Sequence, residues 1–189
     1  MNNTKISIIM NCHNGEKFLH KSLDSILRQS YKNWELIFWD NNSSDNSSKI
    51  INAVNDKRIK YFFSRKYENL YKARNLALEK ASGNFISFLD TDDTWNEYFL
   101  EKNLREIKKN DCNLVYTKYF IKNEKNNKIN VNEKKDLPSG FITKNLLKKN
   151  IVGINGVLIE KKVFDHQQFN PKYQIIGDYD FFVKNKFTK

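Results

Sequence analysis

The sequence predicts an α/β fold in which helices flank a mixed, mainly parallel central sheet. Short β-branched apolar runs alternate with amphipathic segments, and this alternation is typical of strands joined by crossover helices. A length of 189 residues fits one domain, and 39% apolar residues can fill its core. Ligands of such sheets bind beyond the carboxyl ends of the strands, so the loops that follow strands are the candidate sites.

Four predicted strands lie in the first part of the chain. They are KISIIM, WELIFWD, IKYFF and NFISFL, each rich in β-branched or aromatic residues. Residues 16–30 follow the first strand and predict an amphipathic helix. Its apolar face is formed by Phe18, Leu19, Leu23, Ile26 and Leu27.

Two further helices follow the second and third strands. The polar run NNSSDNSS can turn the chain and cap a helix that carries Ile50, Ile51 and Val54. The next helix extends over about 69–81 and ends before Gly83.

The second half of the chain has a weaker pattern. A helix near 96–109 and a strand near 113–119 come first. Residues 124–140 are polar and end in Pro and Gly, so we expect a mobile excursion there. Residues 141–189 predict a short helix, a strand at GVLIE and a helix entered near Asp178.

The basic excess of the chain lies in its second half. Residues 1–100 hold 14 Lys and Arg against 12 Asp and Glu, whereas residues 101–189 hold 19 against 10. Such an excess attracts phosphates on a nucleic acid or an anionic membrane, and it also fits a solvated surface without a partner. No apolar run approaches the ~20 residues of a membrane span. Two widely spaced cysteines fit a reducing compartment, so we expect a cytoplasmic protein.

Three carboxylates directly follow the fourth predicted strand. Asp90, Asp92 and Asp93 lie close together in FLDTDDTW. Like charges at this spacing raise one another's pKa unless a cation neutralises them, and Mg²⁺ and Mn²⁺ prefer such oxygen ligands. The cluster also fits an N-cap before a helix near Asn96, and the residues alone favour neither interpretation.

Polar side chains also follow the first two strands. Asp40 ends WELIFWD, where its carboxylate can accept a hydrogen bond from a base or ribose or can form an Asx turn. His13, in NCHNG, can stack on a base, although a lone His is more often a surface or core residue.

The six glycines are scattered and form neither a dinucleotide-binding nor a P-loop motif. The charge of a bound diphosphate would therefore be met by a cation and by basic side chains. Lys72 and Arg74 are the candidates, and helical spacing equally allows both to be solvated charges. Asp178, in IIGDYDFF, fits either a helix cap or a general base.

Taken together and in this order, these segments resemble the family-2 glycosyltransferases over roughly residues 5–185. The run from ISIIMNCHNG to IFWDNNSSD is similar to the family's opening nucleotide-binding unit. ASGNFISFLDTDDTW is similar to the strand that leads into its DxD motif. The resemblance implies the glycosyltransferase A-type fold, as a single Rossmann-like domain over 1–189. Its halves, 1–110 and 111–189, would bind the nucleotide-sugar and face the acceptor.

The resemblance implies roles for the acidic residues. Asp92 would coordinate Mn²⁺ or Mg²⁺ on the donor's diphosphate, and Asp90 would contact the ribose or a metal-bound water. Asp93 would support both. Asp178 would be the catalytic base that deprotonates the acceptor hydroxyl in an inverting displacement.

The resemblance also implies where the nucleobase binds. Asn11, Cys12 and His13 would border it. Asp40 and Asn41 stand where the family has two aspartates, the second of which often accepts a hydrogen bond from the uracil imide. Because the amide oxygen of Asn41 can still accept that hydrogen, UDP is the expected nucleotide.

The chain ends soon after Asp178, whereas many relatives continue, so we expect a minimal enzyme, a fragment, or a homodimer that completes the site. The expected reaction transfers a sugar from a nucleotide-sugar to a saccharide or lipid-linked saccharide in cell-surface glycan synthesis, with peripheral contact at an anionic inner membrane face. A non-catalytic nucleotide-sugar-binding or glycan-binding module and a nucleotidyltransferase are the alternatives. We expect no nucleic-acid partner, because that function leaves the acidic cluster unexplained.

Overall fold

The computed structural model describes residues 4–123, 125–133, 135–185 and 187. Its strands are β1 (Ile6–Cys12), β2 (Trp34–Asp40), β3 (Ile59–Phe63), β4 (Phe85–Phe88), β5 (Leu114–Tyr116), β6 (Phe120–Lys122), β7 (Ile129–Val131) and β8 (Val157–Glu160). Six of them form one sheet in the order β3-β2-β1-β4-β8-β5. Strands β1 to β4 are parallel, whereas β8 is antiparallel to both β4 and β5. The predicted mixed, mainly parallel sheet is confirmed.

Helices cover both faces of this sheet. They are α1 (Glu16–Leu27), α2 (Ser47–Ala53), α3 (Leu70–Leu78), α4 (Phe99–Lys109), α5 (Thr143–Leu146), α6 (Val163–His166) and α7 (Gly177–Lys184). Side chains alternate along β1, so Ile8 and Met10 pack with α1, α2 and α4, whereas Ile9 packs with α3 and α7. Among the helices of the described ranges, none is both long and apolar enough to cross a bilayer.

Three predicted boundaries differ from the structure. The third helix begins at Leu70 and ends at Leu78, three residues earlier than predicted, because its final turn closes on Glu79. The fourth helix begins at Phe99 rather than near 96. In its first turn, the Leu100 amide donates a hydrogen bond to the buried side chain of Gln29 at 3.0 Å. The strand predicted over 113–119 ends at Tyr116, because its partner β8 begins opposite that residue.

The segment 124–140, for which we expected a mobile excursion, contains a strand that the sequence did not predict. β7 lies in this segment and pairs antiparallel with β6 as a separate two-stranded sheet. Phe120 pairs with Val131 and Lys122 with Ile129. The Asn and Lys residues around KINV obscure its alternation in the sequence. Residues 124 and 134 lie outside the described part of the chain.

Glu35 anchors the amino edge of the sheet. Glu35 is 1% exposed, and its carboxylate accepts hydrogen bonds from Lys5 Nζ at 2.8 Å, Ser7 Oγ at 2.6 Å and the Ser82 amide at 2.7 Å. Lys60 Nζ lies 2.7 Å from it. Burial disfavours the ionised carboxylate, but these donors outweigh burial and hold the pKa of Glu35 well below its usual range.

Candidate active site

Arg74 lies at the centre of a charged cluster beyond the carboxyl edge of the sheet. It projects from α3 and is only 1% exposed. Its Nη1 donates a hydrogen bond to Asp178 Oδ1, and its Nη2 donates to Asp90 Oδ1 at 3.1 Å. A buried guanidinium needs anionic partners to offset the loss of water, and here the two carboxylates supply them. Arg74 thereby joins two acidic motifs that are distant in sequence.

Close packing between α3 and α7 brings Asp178 to Arg74. Tyr71, one turn before Arg74, donates from its hydroxyl to the Ile175 carbonyl at 2.7 Å. A Cβ at Gly177 would lie 2.6 Å from carbons of the Tyr71 ring, so glycine allows this approach. Asp178 therefore enters the cluster at the first turn of α7.

The environment of Asp178 suits a proton acceptor. Burial raises the pKa of its carboxyl, Arg74 acts in the opposite direction, and the nearby charge of Asp90 adds to the increase. Asp180 differs, because its Oδ1 pairs with Lys184 at 2.6 Å and lies 3.3 Å from the Tyr173 hydroxyl. Of the two aspartates in the motif, the first is the one that contacts Arg74.

The acidic loop, residues 90–93, places its three carboxylates in different environments. Asp90 contacts Arg74, and Asp93 accepts a hydrogen bond from Asn155 Nδ2. Burial and the neighbouring charges of Asp90 and Asp92 raise the pKa of Asp93 to about 6. Asp92 is exposed, and its side chain has no hydrogen-bond or ion-pair partner in the part of the chain that the structure describes. Asp92 is therefore available to an external cation.

The oxygen donors of the acidic loop fit a divalent metal that is shared with a substrate. Mg²⁺ is commonly held by one or two carboxylates and by substrate phosphates, which complete its coordination. Within the described ranges, no group of three or more His, Cys, Asp and Glu side chains is arranged to hold a metal ion alone. Asp92, with Asp90 beside it, would therefore be the protein's contribution to such a site.

Asn155 is a residue of this site that was not predicted from the sequence. It lies in a 3-10 turn, Ile154–Gly156, immediately before β8. Its Oδ1 accepts from the Asp90 amide at 3.0 Å, and its Nδ2 lies 3.1 Å from Asp90 Oδ2. The only sequence signal was its position before a strand, and that β8 inserts antiparallel beside β4 cannot be derived from such a signal.

The loops after β1 and β2 interlock beside the charged cluster. His13 Nδ1 donates to the Asn41 carbonyl at 3.0 Å, and the His13 ring meets the Tyr67 ring edge-on at 4.6 Å between centroids. Asn14, at a φ of 54°, accepts through Oδ1 from the Ser44 amide at 2.8 Å. Tyr67 was not predicted as a site residue from the sequence. With His13 it forms a pair of aromatic rings on this surface.

The polar residues predicted beside a nucleobase are more enclosed than expected. Asp40 is fully buried, with Oδ1 accepting from the Ser43 amide and Oδ2 from the Tyr61 hydroxyl, both at 2.8 Å. This geometry corresponds to the Asx-turn alternative. The Asn41 side chain donates to the Glu68 carbonyl at 2.7 Å and accepts from the Glu68 amide at 3.1 Å.

Asn11 and Lys72 occupy different parts of this surface. The amide Nδ2 of Asn11 is buried and has no hydrogen-bond partner among the described residues. It therefore offers a donor to a ligand at the carboxyl end of β1. Lys72 is half exposed and pairs with Glu68 at 3.0 Å, so its charge is already partly matched.

A family model described as glycosyl transferase family 2 matches residues 7–163. The chain belongs to this family. An uncharacterized glycosyltransferase of Haemophilus influenzae is 38% identical over 187 residues, which cover 97% of this chain and 72% of the relative. The Escherichia coli UDP-Glc:alpha-D-GlcNAc-diphosphoundecaprenol beta-1,3-glucosyltransferase WfgD is 40% identical over 123 residues, which cover 65% of this chain and 49% of WfgD.

Solved structures share the fold. S. aureus TarS 1–349 in complex with UDP-GlcNAc superposes with a TM-score of 0.74 at 21% identity, over 94% of this chain and 52% of that TarS fragment. The mannosyltransferase PcManGT of Pyrobaculum calidifontis, in complex with GDP-Man and Mn²⁺, gives 0.67 at 15% identity, over 89% of this chain and 48% of that protein. The predicted glycosyltransferase A-type fold is confirmed. The chain spans about half the length of WfgD, of TarS 1–349 and of PcManGT.

Proposed function

We propose that this chain is the catalytic domain of an inverting glycosyltransferase that moves a sugar from a nucleoside diphosphate donor to a saccharide hydroxyl. The observation that carries the proposal is the double contact of Arg74 with Asp178 and Asp90. It holds a carboxylate of raised pKa beside an acidic loop in which Asp92 is exposed and has no hydrogen-bond or ion-pair partner among the described residues. A base next to a diphosphate-binding loop is the arrangement that a single displacement requires.

Asp178 is the proposed base. Its carboxylate takes the proton of the acceptor hydroxyl while that oxygen forms a bond to the anomeric carbon. The bond from this carbon to the donor phosphate breaks on the opposite face, so the electron pair leaves with the diphosphate and the configuration inverts. No covalent sugar–enzyme intermediate is needed, and one carboxylate is sufficient for the proton.

The acidic loop is the proposed binding site of the diphosphate. A divalent cation bound there supplies positive charge to the leaving group. Asp92 would be its ligand, Asp90 would contact a bound water or the ribose, and Asp93 would support the loop. Arg74 has both terminal nitrogens on carboxylates, so we assign it to holding the base and the loop rather than to the phosphates. Lys72 remains a candidate for phosphate contact.

The nucleobase is proposed to bind between the loops after β1 and β2. His13 and Tyr67 offer aromatic surface, and the unpaired amide donor of Asn11 offers a hydrogen bond to a base carbonyl. The amide oxygen of Asn41 retains a second lone pair beside its bond to Glu68. The UDP-linked donor in the name of WfgD favours uridine, and the Mn²⁺ in the PcManGT complex favours a divalent cation.

The acceptor is proposed to be a lipid-linked saccharide at an anionic membrane. The name of WfgD includes a diphosphoundecaprenol-linked sugar. The β6–β7 hairpin presents Phe120, Ile121 and Ile129 at 76%, 53% and 61% exposure, together with exposed Lys122 and Lys128. Apolar side chains beside lysines match the interface of an anionic bilayer. Sedimentation with anionic and neutral vesicles tests this contact, and equal binding to both contradicts it.

Product analysis tests the proposed reaction. Incubation with a UDP-hexose, Mn²⁺ and a diphospholipid-linked saccharide should release UDP and yield an elongated saccharide. The anomeric configuration of its new linkage should be opposite to that of the donor. A nucleotidyltransferase would release pyrophosphate instead. A non-catalytic module would bind UDP without turnover, and either of these two results would refute the proposal.

A further inference from the structure

Asn155 makes three hydrogen bonds to the acidic loop with one side chain. Its Oδ1 accepts from the amide of Asp90 at 3.0 Å, 65 positions away in the sequence. Its Nδ2 donates to Asp90 Oδ2 at 3.1 Å and to Asp93 Oδ2. The side chain therefore fixes both the backbone and two carboxylates of the loop.

The backbone of Asn155 is itself held in place. Trp95 Nε1 donates to the Asn155 carbonyl at 2.6 Å, and the Trp95 ring stacks on Phe99 at 4.3 Å between centroids. The neighbouring Gly156 is buried, and its carbonyl accepts from the Thr117 amide at 3.0 Å. The backbone beside the Asn155 side chain is therefore fixed on both sides, by Trp95 after the acidic loop and by Thr117 after β5.

Two of the three carboxylates in the acidic loop accept hydrogen bonds from protein side chains. Arg74 takes Asp90 Oδ1, and Asn155 takes Asp90 Oδ2 and Asp93 Oδ2. Asp92 has no such partner within the described ranges and is exposed. A neutral amide can hold two carboxylates without placing a positive charge where a cation must bind, which a Lys or Arg at this position could not do.

We propose that Asn155 is the positioning residue that holds Asp90 and Asp93 in hydrogen bonds to the protein, so that Asp92 is left as the direct ligand of the metal–diphosphate. This inference rests on the proposed function. Asn155 touches neither the reacting atoms nor the metal. Its role is to set the loop geometry on which the affinity for the metal–nucleotide depends.

Two variants separate positioning from packing. Asn155→Ala removes all three bonds, whereas Asn155→Asp keeps the size and the acceptor for the Asp90 amide but loses both donated bonds. Asn84→Ala, at the opposite end of β4, is the matched control, because Asn84 bonds the Lys5 amide there. We expect both Asn155 variants to weaken Mn²⁺-dependent UDP binding by about tenfold or more, as residues that support metal ligands do. The control should bind as the wild type does.

Calorimetric titration of the wild type and the variants with UDP and Mn²⁺ tests the inference. Wild-type affinity in both Asn155 variants would overturn the inference, and so would wild-type affinity in Asn155→Asp alone, which would indicate a packing role. Absence of Mn²⁺-dependent UDP binding by the wild type would refute the proposed function and this inference with it. Amide hydrogen exchange of the wild-type chain adds a measurement that needs no variant. The Asp90 amide should be protected, and rapid exchange there would overturn the inference.

Discussion

Arg74 and Asp178 form a largely buried ion pair although they lie 104 positions apart in the sequence. The same guanidinium reaches Asp90 at 3.1 Å, at the start of the acidic loop. One side chain therefore fixes the distance between the proposed base and the proposed diphosphate site. In a single displacement that distance must suit the acceptor oxygen and the leaving group together.

Arg74→Lys should leave a folded protein with transfer reduced by about tenfold or more, because the single ammonium nitrogen cannot replace the two guanidinium nitrogens that reach Asp178 and Asp90 separately. Arg74→Ala should lower the free energy of unfolding by about 2–5 kcal/mol, since it empties a buried site and leaves the partly buried carboxylates of Asp90 and Asp178 without their counter-charge. Chemical denaturation and a transfer assay check the two variants. Full transfer by Arg74→Lys would contradict the bridging role.

Asp178→Asn should retain Mn²⁺-dependent UDP binding and lose transfer by about 10²–10⁴-fold, the usual contribution of a general base. Asp180→Asn is the matched control, because Asp180 pairs with Lys184 rather than Arg74, and it should keep turnover within a few-fold of wild type. Wild-type transfer should also rise with pH through a pKa above the ~3.9 of an ordinary Asp, because burial raises that of Asp178. Retained transfer in Asp178→Asn would refute the assignment.

Asp92→Ala should abolish Mn²⁺-dependent UDP binding without changing the thermal unfolding temperature, because its exposed side chain contacts no described partner. Asp165→Ala removes another exposed aspartate, in α6, and should bind UDP as the wild type does. Calorimetry and thermal denaturation of the two variants check this. Unchanged UDP affinity in Asp92→Ala would refute the assignment of Asp92 as the metal ligand.

Glu35→Gln should reduce stability at neutral pH by ~3 kcal/mol, because it leaves lysines around a neutral group. The folded state holds the pKa of Glu35 below its unfolded value, so its ionisation stabilises the fold above the unfolded pKa of ~4.3. That stability is lost as pH falls through the folded pKa. Urea denaturation from pH 7 to pH 3 should therefore show a smaller difference between wild type and variant at the acid end. A constant difference would contradict the assignment.

The sequence predicted the elements of the parallel half well, because their apolar periods are regular. The bounds of β2 and β3 match the runs WELIFWD and IKYFF. Beyond residue 110 the strand at GVLIE and the helix near Asp178 were predicted, as β8 and α7, but β6 and β7 were missed, since each is three residues long and mostly exposed. Nor can one sequence indicate that β8 inserts between β4 and β5, because pairing between distant strands leaves no local pattern.

The sequence predicted most residues of the candidate site but not the contacts between them. Asp90 and Asp178 were named, yet the buried bridge between them depends on a packing of α3 against α7 that Gly177 permits. Lys72 and Arg74 were treated alike as phosphate contacts. Only the structure separates them, because Lys72 is on the surface and Arg74 is enclosed by carboxylates.

The most direct test of the proposed metal–diphosphate site is a calorimetric titration of the wild-type chain with UDP, GDP, CDP and dTDP, each with and without Mn²⁺. We expect UDP to bind in the presence of Mn²⁺ and at least about tenfold more weakly in its absence, since the acidic loop repels an uncompensated diphosphate. Binding of UDP that is indifferent to Mn²⁺, or no binding of any of the four nucleotides, would contradict it.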